Sequence, residues 1–150
     1  MDAIDRKILA ELQADGRLSI TDLAARVGLS TSPCHRRLRE LERTGVIRGY
    51  RAVVDAESLG LGFEALVFGT MRDGGRATVA EFESALAAVP QVVHAQRLFG
   101  EPDYLLRVVT TDRVAFQRLY DERLATLPGV LKLTSTIVMK HIVTDRPLPA

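Results

Sequence analysis

Apolar positions recur at helical spacing three times in the first fifty residues, then change to strand-like runs from Phe63 onward. Ile4, Ile8, Leu9 and Leu12 predict a helix over about 3–15, closed by Asp15-Gly16. Leu23, Ala24 and Val27 predict a second over about 20–27, with Ser19 as N-cap and Asp22 as a short-acid version of the capping-box partner. Gly28 suits the left-handed conformation that ends a helix, and apolar Leu29 pins the turn to the core. Cys34, Leu38 and Leu41, at i, i+4 and i+7, form the inward face of a third helix over about 32–44. Ser32 is its expected cap, with Pro33 at the first helical position. A short helix, a glycine-containing turn and a second helix make a helix-turn-helix.

Beyond Gly45 the chain reads as extended: Val46-Ile47 and Ala52-Val53-Val54 suggest a small wing or linking strand, with Arg48 and Arg51 between them. The stretch "DAESLGLG" marks a linker. From Phe63 the order becomes strand, helix, strand, strand, helix, strand. "FEALVFGTM" is the first strand. Thr78, with Glu81 as capping-box partner, starts a helix whose stripe is Val79, Phe82, Leu86 and Val89. "VVHAQRLF" and "DYLLRVVT" flank a "GEP" hairpin. Asp112 caps a second helix carrying Phe116, Leu119, Tyr120 and Leu124, and a last long strand runs over 130–142. The expected fold class is α+β: an N-terminal (winged) helix-turn-helix plus a C-terminal ferredoxin-like βαββαβ sandwich. The expected domains are a helix-turn-helix over 1–51, a linker over 52–62 and a second domain over 63–150. Two helices on one sheet face leave the other face free for a partner.

Charge sharpens this picture. The 150 residues carry a formal net charge of only +1, yet residues 34–51 hold six arginines against Glu40 and Glu42. Local density of this kind is the footprint of a polyanion partner. On the third helix, Ser32, His35, Arg36, Arg39 and Arg43 share the outward face, a row without an acid that suits phosphate contact and base-edge reading in a major groove. The plain alternative is a solvated helix face. Aromatic residues make up 5% and tryptophan is absent, which disfavours a stacking platform for single strands.

Other chemistry is sparse. Hydrophobic residues at 47% suffice for a core, and no run approaches the roughly 18 apolar residues of a membrane span. The N-terminus lacks the apolar run of a signal peptide, so a cytoplasmic location is expected. Cys34 is the only cysteine, which rules out an intrachain disulfide. It reads as core filler rather than nucleophile, because leucines share its face. His35 lacks a partner histidine at i+3 or i+4, and His94 and His141 are single histidines in strands. No catalytic residue, metal site or cofactor is expected. The Gly-x-Gly at 60–62 lacks the third glycine of a dinucleotide fingerprint.

The run "IDRKILAELQADGRLSITDLAARVGLSTSPCHRRLRELERTGVIRGYRAVVD", followed by "GEPDYLL" and "LPGV", resembles the Lrp/AsnC (feast/famine) family of transcription regulators, over essentially the whole chain. The resemblance implies an amino-acid-responsive, or related small-molecule-responsive, regulator that binds double-stranded DNA at a pseudo-palindromic operator. It implies a homodimer formed through the sheets and assembling to an octamer. The DNA contacts would be Thr31, Ser32, His35, Arg36, Arg39, Arg43, Arg48 and Arg51. The implied effector pocket lies between subunits: Leu98, Phe99, Gly100, Asp103 and Tyr104 from the hairpin, with Thr136, Ile137 and Val138 from the last strand.

Glycine admits a ligand close to the backbone, and Asp103 could accept from an α-ammonium; turn formation after Pro102 is its structural alternative. Arg97 and Arg113 stand where leucine-sensing relatives often carry apolar residues, and if either points inward it favours an acidic or polar ligand or closes the site. The expected protein is not an enzyme. The alternative from another class is a sirohaem decarboxylase-like enzyme on the same two-domain plan, with His94 and His141 as its chemistry.

Overall fold

The computed structural model describes residues 1–149 and divides the chain into two compact units. One comprises Met1–Val53 together with the segment from Ile142 onward; the other is Val54–His141. The sequence-based division placed that C-terminal segment with the second domain. The structure instead groups it with the helical unit, because a side chain of the first helix holds its backbone.

In the helical unit, α1 (Ala3–Ala14) opens on a reciprocal capping box. The Asp2 carboxylate accepts from the Ile4 and Asp5 N–H groups, and Asp5 accepts from the N–H of Asp2. Two acids at this end also complement the helix dipole. α2 (Ile20–Val27) is capped by Ser19, which accepts from the Asp22 N–H at 3.1 Å. Asp22 does not return the bond to the backbone; its carboxylate takes the Ser19 hydroxyl at 2.6 Å. Gly28 sits at φ 75, and Leu29 donates back to the Ala24 carbonyl at 2.9 Å, so the turn is pinned as its sequence suggests.

α3 (Thr31–Arg43) starts earlier than expected. Ser30, not Ser32, is the N-cap, and it makes no side-chain cap bond. Pro33 is therefore the third helical residue. It is tolerated there because the first-turn N–H groups lack intrahelical partners anyway. Ile8, Leu23, Ala24, Val27, Cys34 and Leu41 form the buried core, with Leu9, Leu12, Leu29, Leu38 and Ile47 packed against it. Each fully buried large apolar side chain contributes roughly 1.5–3 kcal/mol. The expected wing does not form a ladder: residues 45–54 are extended or turning without strand pairing. Gly45 and Gly49, at φ 73 and 150, interrupt any strand there.

The second unit is a four-stranded antiparallel sheet in the order β2-β3-β1-β4. Its strands are β1 (Phe63–Met71), β2 (Val92–Arg97), β3 (Tyr104–Thr110) and β4 (Val130–Ile137). α4 (Arg76–Ala87) and α5 (Arg113–Leu119) connect them in the expected βαββαβ plan. Val67, Leu106 and Val108 pack against Phe82, Leu86, Leu119 and Leu124 on the helical side. Strand alternation puts Glu64, Leu66, Phe68, Leu105, Arg107 and Val109 on the opposite face.

Three expected boundaries move. α4 begins at Arg76 with Gly75 as N-cap, so Thr78 lies inside the helix. A π-helical turn over Tyr120–Leu124 follows α5 and carries Leu124 into the core. β4 ends at Ile137 instead of 142, because its partner β1 begins at Phe63 and pairing runs out. The last bond runs from the Val138 N–H to the Glu64 carbonyl. Gly129, at φ 74, closes the "LPG" turn; a Cβ there would collide with the Thr78 methyl.

Candidate nucleic-acid interface and effector site

The leucine-and-cysteine face of α3 decides which of its side chains face out. Cys34 and Leu41 are buried and Leu38 half-buried, while Ser32, His35, Arg36, Arg39 and Arg43 are exposed on the opposite side. Thr31 joins them at the exposed first turn. Burial pushes the Cys34 thiol up from its ordinary range, which leaves it a poor nucleophile.

The arginines of this helix divide by partner. Arg37 lies between the two faces and bonds Asp5 and Asp2 at 2.8 Å each. The bonds to Asp5 and then Asp2 hold its guanidinium above its usual range. Arg37 is thus a strut between α3 and the start of α1. Arg43 makes a two-pronged pair with Glu40, one prong at 2.8 Å, and Glu40 is drawn below the usual carboxylate range by that hydrogen bond. The outward row itself contains no acid, but Glu40 on its flank reaches into it. Arg39 lies 3.9 Å from Glu42, which also accepts from the Tyr50 hydroxyl. Arg36, Arg48 and Arg51 make no ion pair among the described residues. Arg48 and Arg51 line a groove with Arg6, a cation the sequence reading passed over because it stands apart from the arginine cluster.

The residues of the implied effector pocket fall into two groups that one chain does not bring together. The hairpin from Leu98 to Asp103 lies at the end of the sheet where Gly69 pairs with Tyr104. Thr136 and Ile137 pair with Leu66 and Ala65, on the other side of β1 and three to four residues along it, roughly 10–14 Å away. At the hairpin, Phe99 is fully exposed and Gly100 takes φ 135. The Asp103 carboxylate accepts from the Met71 N–H at 2.7 Å, which ties the hairpin to the end of β1.

Tyr104 faces the helices, not the hairpin tip. It is 2% exposed, its ring lies 4.6 Å from that of Phe82, and its hydroxyl donates to Glu83 at 2.8 Å. Burial, then the bond to Glu83, pushes its phenol up to about 12. Arg97 turns to the same side, 4.0 Å from Glu83, and Arg113 is exposed at the start of α5.

The two remaining histidines differ in their surroundings. His141 lies 3.1 Å from Glu64, which Arg107 also binds with two bonds at 2.8 Å. Those bonds, that to Arg107 first, hold Glu64 below the usual carboxylate range. His94 is exposed opposite Arg107. Among the described residues, no three metal-ligating side chains cluster. No helix there is long and apolar enough to cross a membrane.

Both halves have recognised counterparts. The model of a winged helix-turn-helix DNA-binding family matches residues 1–48, and that of the Lrp/AsnC ligand binding domain matches residues 64–148. The chain belongs to the Lrp/AsnC family. It is a DNA-binding transcriptional regulator of the Lrp/AsnC type, with a ligand-binding second half. The leucine-responsive regulatory protein of Rhizobium meliloti is 39% identical over 95% of this chain and 91% of its own. The DNA-binding transcriptional activator DecR of Escherichia coli K12 is 36% identical over 99% and 98%. Among solved structures, the transcriptional regulator NMB0573 of Neisseria meningitidis, crystallised as an L-Met complex, superposes with TM-score 0.94 at 37% identity, covering 99% of this chain and 96% of that one. An AsnC family regulator from Agrobacterium tumefaciens gives 0.93 at 36% identity, covering 99% and 97%. In this Lrp/AsnC protein the outward face of α3 is therefore the natural candidate for reading DNA.

Proposed function

We propose that this regulator binds double-stranded DNA as a homodimer, laying the outward face of α3 in the major groove of each half of a pseudo-palindromic operator. The half-sites would be spaced by one helical turn, about 10 bp, or a multiple of it. The carrying observation is that Arg36 is exposed and makes no ion pair among the described residues, on a helix whose opposite face is anchored in the core. Thr31, Ser32, His35, Arg36 and Arg39 would meet bases and neighbouring phosphates; Arg48 and Arg51 would take phosphates. Arg43 contributes only when its pair with Glu40 opens.

The second half would dimerise through the free sheet face, whose apolar centre is Leu66, Phe68 and Leu105, with further assembly to an octamer. Its effector would be an amino acid, a reading supported by the L-Met complex of the Neisseria relative. Because one chain separates the hairpin from Thr136–Val138, the pocket would be completed between subunits, with Leu98, Phe99, Gly100 and Asp103 from one and Thr136, Ile137 and Val138 from another. Tyr104 would support the hairpin from beneath. The protein would work in the cytoplasm as a regulator without catalysis, a reading supported by the regulators it resembles.

Fluorescence anisotropy with operator duplex tests the DNA reading. Counterion release demands a steep fall of log affinity with log salt, at a slope of about −0.9 per phosphate neutralised. Affinity indifferent to salt overturns it.

A further inference from the structure

The first helix carries a contact that DNA reading does not use. The Gln13 side chain, exposed on α1, forms two hydrogen bonds with the backbone of Leu148, 135 residues away: its Nε2 donates to the Leu148 carbonyl at 3.1 Å, and its Oε1 accepts the Leu148 N–H at 2.7 Å. An amide that satisfies both backbone groups of one residue reads extended main chain, as a neighbouring strand would.

The segment it holds is built for such reading. Leu148 stands between Pro147 and Pro149. Proline fixes its own φ and pushes the residue before it toward extended backbone, so little conformational freedom remains to be lost on docking. Within Pro-Leu-Pro only Leu148 has an N–H, and Gln13 takes it. The groove beside it, about 850 Å³ with the segment in place, is lined by Leu9, Leu12, Ile47 and Tyr50 and by Leu148 and Pro149 themselves. An apolar wall with one aromatic ring and one side-chain amide is the usual seat of a proline-flanked extended peptide. The docking is shallow, because Leu148 stays 76% exposed. Arg6, Arg48 and Arg51 line the same groove.

We propose that the groove between α1 and residues 46–51 is a docking surface for this chain's own Pro147-Leu148-Pro149 segment, and that the docked segment competes with the DNA backbone for the arginines around it. The second clause rests on the DNA-binding reading above. The segment continues from the sensor half at His141–Ile142, so its release or docking offers that half a handle on the DNA-binding unit apart from the linker.

Gln13→Ala tests this in the full-length protein. It deletes both bonds at an exposed helix position where alanine is the better helix former. Two read-outs are taken: millisecond hydrogen exchange of the C-terminal peptide without DNA, and duplex affinity at fixed salt. The expected result is exchange at Leu148 faster by about tenfold, with duplex binding tighter by about two- to fivefold. Replacing Pro147 and Pro149 together by alanine should act in the same direction while leaving Gln13 in place. Unchanged Leu148 exchange in Gln13→Ala overturns the docking. Faster exchange with unchanged or weaker duplex binding overturns the competition. A wild type that binds no duplex at any salt overturns the DNA reading and the competition with it, whereas the docking is still read from exchange alone.

Discussion

Arg37 on α3 reaches Asp5 near the start of α1 at 2.8 Å, and the same Nη1 reaches Asp2 at 2.8 Å. One guanidinium thus joins α3 to the capping box that begins the chain's first helix. It sits among four arginines within eight residues yet serves the fold, while its neighbour Arg36 is left facing outward.

Arg37→Ala should therefore lower the melting temperature of the helical unit, while its loss of DNA affinity stays below that of Arg36→Ala measured under conditions where both are folded. The pH dependence has a definite sign. Asp2 is held below its ordinary 3.8, first by the Asp5 N–H and also by Arg37. Its contribution is complete above pH 3.8 and is lost as pH falls through the lowered folded value. Wild type and Arg37→Ala should converge in thermal stability on acidification. A gap that persists below that value contradicts the assignment.

Glu40 restrains Arg43. Glu40→Gln should free that guanidinium for phosphate, tightening duplex binding and steepening the salt slope by about 0.9. Salt titrations of wild type and variant decide this. An unchanged slope means Arg43 lies off the duplex.

Gly129 combines a positive φ with no room for a side chain, since a Cβ would strike Thr78. Gly129→Ala should destabilise the sensor unit by about 1–3 kcal/mol in chemical denaturation, with overpacking adding to backbone strain. Duplex contacts of α3 should be unaffected at temperatures where the variant is folded.

Asp103 has two candidate tasks that one substitution separates. Asp103→Asn keeps an oxygen to accept the Met71 N–H but removes the charge an α-ammonium would need. Thermal-shift screening of the twenty amino acids should find an effector that stabilises the wild type, and the shift should shrink in Asp103→Asn with ligand-free stability nearly kept. An undiminished shift assigns Asp103 to the hairpin alone.

Much of this architecture was legible in the sequence. The spacing of Cys34, Leu38 and Leu41 was enough to separate the outward arginines from the core, and Gly28 and Asp112 announced their helix ends correctly. The errors have local causes. Ser32-Pro33 outweighed Ser30 as a start signal, although proline is tolerated throughout the first turn. Val53 and Val54 look like a strand, but nothing pairs with them among the described residues. Side-chain partners across the sequence were the least visible. Glu40 beside Arg43 needed only the i, i+3 rule, whereas Gln13 with Leu148 and Asp103 with Met71 depend on tertiary placement that no local pattern encodes. The effector residues are implied only by resemblance, and the strand order puts the two groups so named on different sides of β1.

The central claim is that the outward face of α3 reads DNA, and Arg36 is its most direct probe. Duplex affinity of wild type and Arg36→Ala should be measured by anisotropy on operator and on unrelated sequence across a range of salt. The account predicts that Arg36→Ala loses about 1–3 kcal/mol on operator and less on unrelated duplex if it reads a base, or flattens the salt slope on both by about 0.9 if it binds phosphate. Equal affinities and equal slopes for the two proteins on both duplexes would contradict it.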